Sequence, residues 1–587
     1  MHSVSKISVT NFKLIQSAEF DFGPYTPLVG YNNAGKSNIL RALQWAIEYP
    51  SLSRESFFDP ESPVVVEANI TGVDGEVLDG LAENHRTKIE PYIYDSVLRI
   101  RRTQHEPGIA KTQIRHEVLK QTDGEEEWIL APTGIPQALT ALFPEVIFVG
   151  AMEDSAEDVA KNASGTTIGK LMKAIIDPIR QDYEQQVTDA LEPIQRKLSA
   201  DSVDKDQRLL DVDEEIQRHL QNFFPDVVAR THISMPDFDD VSKRATLKVF
   251  ENRYGDDQES EASSMGHGAQ RSIQISLISA LSKIRRANAE NAARTVLLLV
   301  DEPELYLHPQ AIAVARSAFK NLASDGYQVA FTTHSGELVG YEDAANTLII
   351  RRTREEGTSA APRLMEKISE TIEEGARQAE LLFELSNSRE FLFCDKALLV
   401  EGDTEKFLVP RLYEYHFEKT LIEDRIGLVP VNGSTNLPAC KAILEAMGIE
   451  VRCIADLDFL LKEGTKHGLV GVEDPRRKGL LGICTVMEAE GKISIGDDGW
   501  PEKGQGLKAW QGFELLAEED GAQELISDLT ADALVAGYWV WHLGAFEKHL
   551  GMTTKGPSAW IAIANKLALG EVAEIPDIDG CKAAIGF

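Results

Sequence analysis

The stretch Leu28-Val-Gly-Tyr-Asn-Asn-Ala-Gly-Lys-Ser-Asn-Ile-Leu40 decides the fold of the first half of the chain. It reads as the end of a buried strand, a loop bounded by Gly30 and Gly35 with Asn33 inside it, and a helix opening at Lys36. Gly30, Gly35, Lys36 and Ser37 satisfy G-x-x-x-x-G-K-[ST], the pattern of a phosphate-cradling loop. Glycines let backbone N–H groups close on phosphate oxygens, and the helix N-terminus adds positive partial charge. Lys36 is expected to reach the β- and γ-phosphates, and the Ser37 hydroxyl to ligate Mg²⁺. The chain is therefore expected to bind a nucleoside triphosphate, taken as ATP.

The companions of that loop lie far away in sequence. Leu297-Leu-Leu-Val-Asp-Glu-Pro-Glu304 is an apolar run ending in acids, as a central parallel strand delivering carboxylates to a nucleotide would be. Asp301 is expected in the Mg²⁺ shell and Glu302 as the group that polarises the attacking water. Ser264-Met-Gly-His-Gly-Ala-Gln-Arg271 offers small residues and backbone donors just before a helix, and Phe331-Thr-Thr-His-Ser335 sets His334 at the end of another strand. Together with the opening Ile7-Ser-Val-Thr-Asn-Phe12, these stretches in this order resemble ABC-type ATPases of the SMC/RecF/Rad50 kind. In that family two heads sandwich ATP. The resemblance implies a homodimer in which Gly266 and Gly268 face the partner's nucleotide, with Glu302 and His334 as catalytic residues of hydrolysis. The signature here reads Ser-Met-Gly-His-Gly, where that family usually has Leu-Ser-Gly-Gly.

At 587 residues the chain is too long for one core and should hold two to four domains. Hydrophobic residues at 43% and charged residues at 26% are ordinary for a globular protein. A net charge of −34 is not ordinary for a protein that handles nucleic acid, so any DNA contact needs local basic patches or bound cations. The runs Arg476-Arg477-Lys478, Arg285-Arg286 and Arg351-Arg352 with Arg354 are the candidates. Five scattered cysteines without metal-like spacing read as reduced core residues, and no apolar run approaches a membrane span. The expected location is cytoplasmic, with no membrane association.

Along the chain, residues 1–154 read as the N-terminal part of the ATPase, with strands at Val64–Ile70 and Ser96–Arg102. Residues 155–225 turn helical. Apolar residues recur at steps of three or four from Ile175 through Tyr183, Val187, Leu191 and Ile194, then again from Leu209 through Val212, Ile216, Leu220 and Phe223. Asp177-Pro178 has the look of an N-cap, and Pro193 is expected to kink or end its helix. Because this segment interrupts an ATPase whose parts lie on both sides, it reads as an inserted helical dimerisation arm. Residues 226–368 return to the ATPase, with Tyr254–Glu261 expected as an exposed acidic loop and 370–390 as a helical connector.

A second α/β unit follows at 390–587. Lys396-Ala-Leu-Leu-Val-Glu-Gly-Asp-Thr-Glu405, Leu428–Gly433 and Val451-Arg-Cys-Ile-Ala-Asp-Leu-Asp458 read as repeated βα units of a parallel sheet. Their acids collect at the C-terminal edge of the strands, where α/β sites form. Acids gathered this way repel one another unless hard cations lie between them, and oxygen-only ligands select Mg²⁺ or Mn²⁺. Glu401, Glu405, Asp456 and Asp458 therefore read as a divalent-metal site.

Glu-Gly-x-x-Glu followed about fifty residues later by strand-Asp-x-Asp resembles the Toprim fold of topoisomerases, primases and some nucleases. A Toprim behind an ABC ATPase is the layout of the OLD (overcoming lysogenization defect) family, which includes the nuclease subunit of the Gabija phage-defence system. That resemblance covers nearly the whole chain. It implies two metals at the Toprim site, Glu547 as a late metal-binding carboxylate, and Lys566 as an active-site lysine. His542 is expected to pack near the neighbouring tryptophans. Two readings of function stay open. In one the chain is a homodimeric or higher-order, ATP-binding, metal-dependent endonuclease or nickase of double-stranded DNA, in anti-phage defence or DNA processing. In the other it is a DNA-associated ATPase switch whose Toprim binds or senses without cutting. A helicase partner, common in one class of the family, stays open as well.

Overall fold

The computed structural model describes residues 2–122, 124–143, 146–151, 167–224, 226–235, 247–253, 256–261, 264–287, 295–353, 357–361 and 389–587. The connector expected at 370–390 falls almost wholly outside these residues, as do Ser155 and Arg354. The described chain gathers into two compact units.

One unit comprises Met1–Val4, Asn69–Ile100 and His116–Phe331. Its centre is the strand Val296–Val300, every residue of which is buried. Parallel strands flank it on both sides, Val146–Val149 on one and the strand beginning at Tyr327 on the other. The run Val-Leu-Leu-Leu-Val has no polar alternation because both of its faces are covered. The helix Pro309–Ser324 starts where the sequence directs it. His308 caps it by accepting from the Ala311 N–H, and Pro309 takes the first position, where the missing N–H costs nothing.

The same unit carries the helices Thr167–Leu198 and Gln207–Leu220. The first begins ten residues before Asp177-Pro178, which therefore does not open it, and it runs on through Pro193, which does not end it. Between the helices, charge is buried while apolar groups are exposed. Lys205 pairs with Asp213 and donates to the Thr231 carbonyl, and Asp213 is drawn down to about 2 by Lys205. Tyr183, Ile194, Leu210, Val212, Ile216 and Phe223 all face solvent. Within the expected acidic loop at 254–261, Asp256–Glu261 is instead a strand pairing antiparallel with Lys248–Arg253, while Tyr254 and Gly255 lie outside the described residues.

The other unit comprises Ser5–Ala68, Arg101–Arg115 and Thr332–Phe587. The fully buried strand Tyr25–Val29 feeds the phosphate loop, and the helix Lys36–Glu48 leaves it. Leu348–Thr353 pairs parallel with Tyr25–Val29 and antiparallel with Gly357–Ala360. Further along lies a four-stranded, all-parallel sheet. Lys396–Val400 sits at its centre between Ile426–Pro430 and Glu450–Ala455, and Tyr538–Val540 lies outside the last. One core joins Val29, Val339 and Ile349 to Leu399, Val429 and Cys453 of this sheet. All five cysteines are free and buried, in keeping with their apolar neighbours in sequence.

Candidate nucleotide and metal sites

The glycines of the phosphate loop are there because nothing larger fits. A Cβ on Gly30 would stand 2.3 Å from the Ile350 carbonyl oxygen, and one on Gly35 would stand 2.3 Å from Thr358 Oγ1. Both have positive φ, as does Asn33 at +65°. Thr358 donates to the Ala34 carbonyl and pins the loop from the side. Lys36 is buried, and its Nζ lies 2.9 Å from the Gly30 carbonyl, 3.1 Å from the Tyr31 carbonyl and 2.9 Å from His334 Nε2. The loop lysine and His334, about 300 residues apart in the chain, thus meet directly. Ser37 follows on the same helix, half-buried.

In the other unit, Asp301 and Glu302 leave the end of the central strand, Asp301 N–H donating to the Val149 carbonyl. Glu302 sits at φ +46°, a strained conformation for a residue with a side chain and one that clusters at functional sites. Their turn is gripped by Arg271, which the sequence reading quoted without assigning. Arg271 is buried and donates to the carbonyls of Gly150, Ala151, Asp301 and Glu302. It lies on the helix His267–Ala287, so the signature segment and the acidic turn are tied through one guanidinium. A Cβ on Gly268 would meet the Tyr306 carbonyl at 2.6 Å, and the His267 and Tyr306 rings stack. Gly266 has open space around it.

At the Toprim edge the acids meet as their strands predict. The Asp456 N–H donates to Glu401 Oε1 at 3.0 Å, and the Phe546 N–H donates to Asp456 Oδ1 at 3.0 Å. Thr404 donates to Glu547 Oε1 at 2.8 Å. Glu405 and Glu547 are buried. Asp458 begins a π-helical turn, Phe459–Glu463, a distortion found often at functional sites. Burial, reinforced by Asp458 and Glu405, pushes Glu401 up to about 8. Burial and then Glu547 push Glu405 up to about 7. Burial with Glu401 and Glu405 raises Asp456 well above the carboxylate range, and burial raises Asp458.

The lysine among these acids is Lys555, not Lys566. Lys555 Nζ lies 2.9 Å from Glu547 Oε2 and 3.9 Å from Asp456 Oδ2, and covers the Trp510 ring at 5.3 Å. Burial alone would lower its ammonium, yet Asp456 and Glu547 outweigh burial and hold it above the ordinary value. Lys566 pairs with Glu574 at 2.7 Å, and among the described residues it touches none of the acids. Lys555 sits in the loop before its helix, where no periodicity or motif marks it. Glu514, half-buried nearby, is pushed up to about 7 by burial, against the pull of Lys548.

Two further expectations are corrected. The run 476–478 is spent on the protein itself. Arg476 pairs with Asp474 and Asp532 at 2.7 Å each, Arg477 stacks on Trp500, and Lys478 pairs with Glu473. Arg351 donates to the Gly448 carbonyl, while the side chains of Arg285 and Arg286 lie outside the described residues. His542 is exposed and meets His549 edge-on, and it is His549 that packs on Trp541. With Asp577 these histidines form a compact group, but His549 has both nitrogens engaged, Nδ1 with Asp577 and Nε2 with the Leu543 N–H. Burial drives His549 down to about 4, so it stands as a neutral structural residue.

A P-loop ATPase sequence followed along the chain by a parallel sheet with its acids at one edge defines an ATPase–Toprim protein. Comparison with known proteins gives the same order along the chain. A family described as AAA ATPase domain matches residues 3–96 and 102–339, and one described as overcoming lysogenization defect protein-like, TOPRIM domain, matches 392–458. The Old nuclease of Escherichia phage P2 is 37% identical over 460 residues, 78% of this chain and 77% of the phage protein. The OLD nuclease of Thermus scotoductus is 21% identical over 478 residues, 78% of this chain and 82% of its own. The chain belongs to the OLD family, and ATPase and nuclease activities come with that membership. Among solved structures, an Smc head domain derived from Pyrococcus furiosus aligns over 63% of the chain at 15% identity with a TM-score of 0.35. Among the described residues no helix is long and apolar enough to cross a membrane.

Proposed function

We propose that the chain is an ATP-binding, divalent-metal-dependent DNA endonuclease or nickase whose cutting centre is the carboxylate cluster Glu401, Glu405, Asp456, Asp458 and Glu547. The observation that carries this is the convergence of the acids. Half-buried Glu401 accepts from the N–H of half-buried Asp456, buried Glu405 and Glu547 lie beside them, and Lys555 is the cation set among them. Burial and mutual repulsion raise Glu401, Glu405 and Asp456 above the usual carboxylate range. Such a site fits hard cations, and its oxygen-only donors fit Mg²⁺ or Mn²⁺, one or two of them. When bound, such cations supply charge stabilisation and a more acidic water. The chain's own groups do the positioning. Asp456 N–H fixes Glu401, Phe546 N–H fixes Asp456, and the Thr404 hydroxyl fixes Glu547. Lys555 holds an ammonium beside them, where negative charge building on a cleaved phosphodiester would be met.

On the nucleotide side, we infer that the loop Gly30–Ser37 takes the phosphates of ATP, Ser37 and Asp301 hold its Mg²⁺, and Glu302 and His334 act at the γ-phosphate. Gly266 and Gly268 would face a partner's nucleotide in a homodimer. The helices Thr167–Leu198 and Gln207–Leu220 are the dimerising arm in this reading, which the exposed Tyr183, Ile194, Leu210, Val212, Ile216 and Phe223 support. Light scattering is expected to give a dimer mass for the whole chain and a monomer mass once residues 155–225 are replaced by a short linker. The biological setting, following the family, is phage defence or DNA processing.

The test of the cutting centre is incubation with supercoiled plasmid in Mg²⁺ or Mn²⁺. Nicked or linear product is expected, and EDTA is expected to stop it. Cleavage that survives EDTA would overturn the metal reading. A Glu401→Ala protein that cuts at the wild-type rate would leave the Toprim as a binding module.

A further inference from the structure

We propose that Tyr31 and Arg425 are coupling residues through which nucleotide in the phosphate loop changes the geometry of the Toprim strands. The link can be followed atom by atom. Tyr31 is the residue after Gly30, and its carbonyl accepts from Lys36 Nζ at 3.1 Å. Its hydroxyl donates to the Arg352 carbonyl at 2.7 Å and accepts from the Arg352 N–H at 3.0 Å, which fixes the ring to the neighbouring strand. The guanidinium of Arg425 lies over that ring, 4.5 Å from its centre.

Arg425 is no ordinary surface arginine. It has φ +57°, immediately precedes the strand Ile426–Pro430, and pairs with Asp395 at 3.3 Å. Its carbonyl accepts from the N–H groups of Asp395 and Lys396, at the entry of the strand Lys396–Val400. Glu401 follows at the far end of that strand, and its carbonyl in turn accepts from the Gly433 N–H, past the end of the other. The Arg425 corner therefore sets the start of two adjacent strands, one of which, Lys396–Val400, delivers Glu401 to the carboxylate site. Beside it, Arg351 donates to the Gly448 carbonyl, a second strap between the strand Leu348–Thr353 and the Toprim.

The physical lever is Lys36. A triphosphate in the loop claims the ammonium for its own oxygens. The Tyr31 carbonyl then gives up that partner and the loop backbone resettles around the phosphates. Because Tyr31 is held at three points, its ring cannot turn without moving Arg425 or releasing it. Coupling of this kind is reciprocal, so occupation of the Toprim side must alter nucleotide affinity by the same factor.

The inference takes the phosphate loop and the carboxylate cluster as the two sites, and its test requires no cleavage, so a failed nuclease assay and a failed link remain separate results. Hydrogen exchange is measured on the whole chain with and without a nonhydrolysable ATP analogue, alongside calorimetric binding of the same analogue. The wild type is expected to show changed exchange in the loop 30–37 and also in 396–401 and 424–433. Arg425→Ala is expected to keep its dissociation constant within about threefold, below the usual span of allosteric coupling. It should keep the change at 30–37 and lose the change at 396–401 and 424–433. Arg425→Lys retains the charge and the reach to Asp395 but not the flat stacking, and is expected to behave like Arg425→Ala, which covers the case of an alanine variant that does not fold. A wild type protected only at 30–37, or a folded Arg425 variant with the distant change intact, overturns the proposal.

Discussion

In the phosphate loop an ammonium is set on a helix N-terminus among backbone oxygens; at the Toprim edge carboxylates crowd one another around an ammonium. Lys36 stands among the Gly30 and Tyr31 carbonyls and His334, groups that a phosphate can replace. Glu401, Glu405 and Asp456 stand in burial that favours their protonated forms, which a cation can reverse. Each region thus presents the charge opposite to that of its proposed ligand. Chains that bind both an anion and cations at separate sites should therefore be separable by mutation, one site failing while the other works.

The largest expected effects are the two halves of that separation. Glu401→Ala and Asp456→Ala are expected to slow plasmid cleavage by orders of magnitude, because each removes a ligand and unbalances the charge around any bound cation. ATP hydrolysis should continue near the wild-type rate. Lys36→Ala is expected to abolish ATP binding in a calorimetric titration, and Glu302→Gln to bind ATP while stalling hydrolysis. Wild-type turnover in Glu302→Gln would break the assignment of that acid. Loss of ATP hydrolysis in Glu401→Ala would show that the two sites are not separable.

How far these sites were legible in sequence depended on whether their chemistry is local. The phosphate loop is contiguous, and its glycines answer to contacts with Ile350 and Thr358 that any such loop requires in some form. The Toprim acids lie at strand ends, so a parallel sheet brings Glu401 and Asp456 to one edge automatically. Lys555 and Arg271 obey no such rule. Each is a single cation whose partners, Glu547 for one and four backbone carbonyls for the other, are defined only by tertiary convergence. The basic run at 476–478 misled for the converse reason. Asp474 caps the helix it opens and claims Arg476, which was legible, but Asp532 arrives from another helix. Helix ends failed at prolines, since Pro178 and Pro193 both lie within the helix Thr167–Leu198.

A sharper and smaller effect compares two lysines eleven residues apart. Lys555→Met is expected to lower plasmid cleavage by about a hundredfold or more, the scale on which one preorganised donor to a developing oxyanion acts. Lys566→Met is expected to leave it within about twofold, because its surface pair with Glu574 is of a kind worth little. The reverse outcome would return the site to Lys566 and would mean that the Lys555 contacts to Glu547 and Asp456 serve stability alone. Equal losses would point to a shared structural role in this end of the chain.

The smallest expected effect is thermal and follows from the raised carboxylates. Glu401 and Glu405, pushed up to about 8 and about 7, hold protons in the folded chain at pH values where the unfolded chain, with ordinary glutamates near 4.5, has already lost them. In that window the folded state binds more protons than the unfolded state, so stability falls as pH rises. Their favourable contribution is complete below the ordinary glutamate range and is lost as pH climbs through about 7 to 8. A divalent cation takes the place of those protons and should restore what the rise in pH removes. In EDTA, the melting temperature of the Toprim transition is expected to drop between pH 5 and pH 8. Mn²⁺ at about a hundred times its dissociation constant should raise it at pH 8 by on the order of 5 °C, from the mass-action gain and the usual entropy of unfolding. At pH 5, where protons already occupy the carboxylates, the same Mn²⁺ should do far less. Glu401→Gln removes one titrating group without removing its volume, so it should flatten the fall in EDTA and shrink the Mn²⁺ shift at pH 8. A Mn²⁺ shift of equal size at both pH values, or one unchanged by Glu401→Gln, would mean that the cation binds elsewhere and that the carboxylate cluster is not its site.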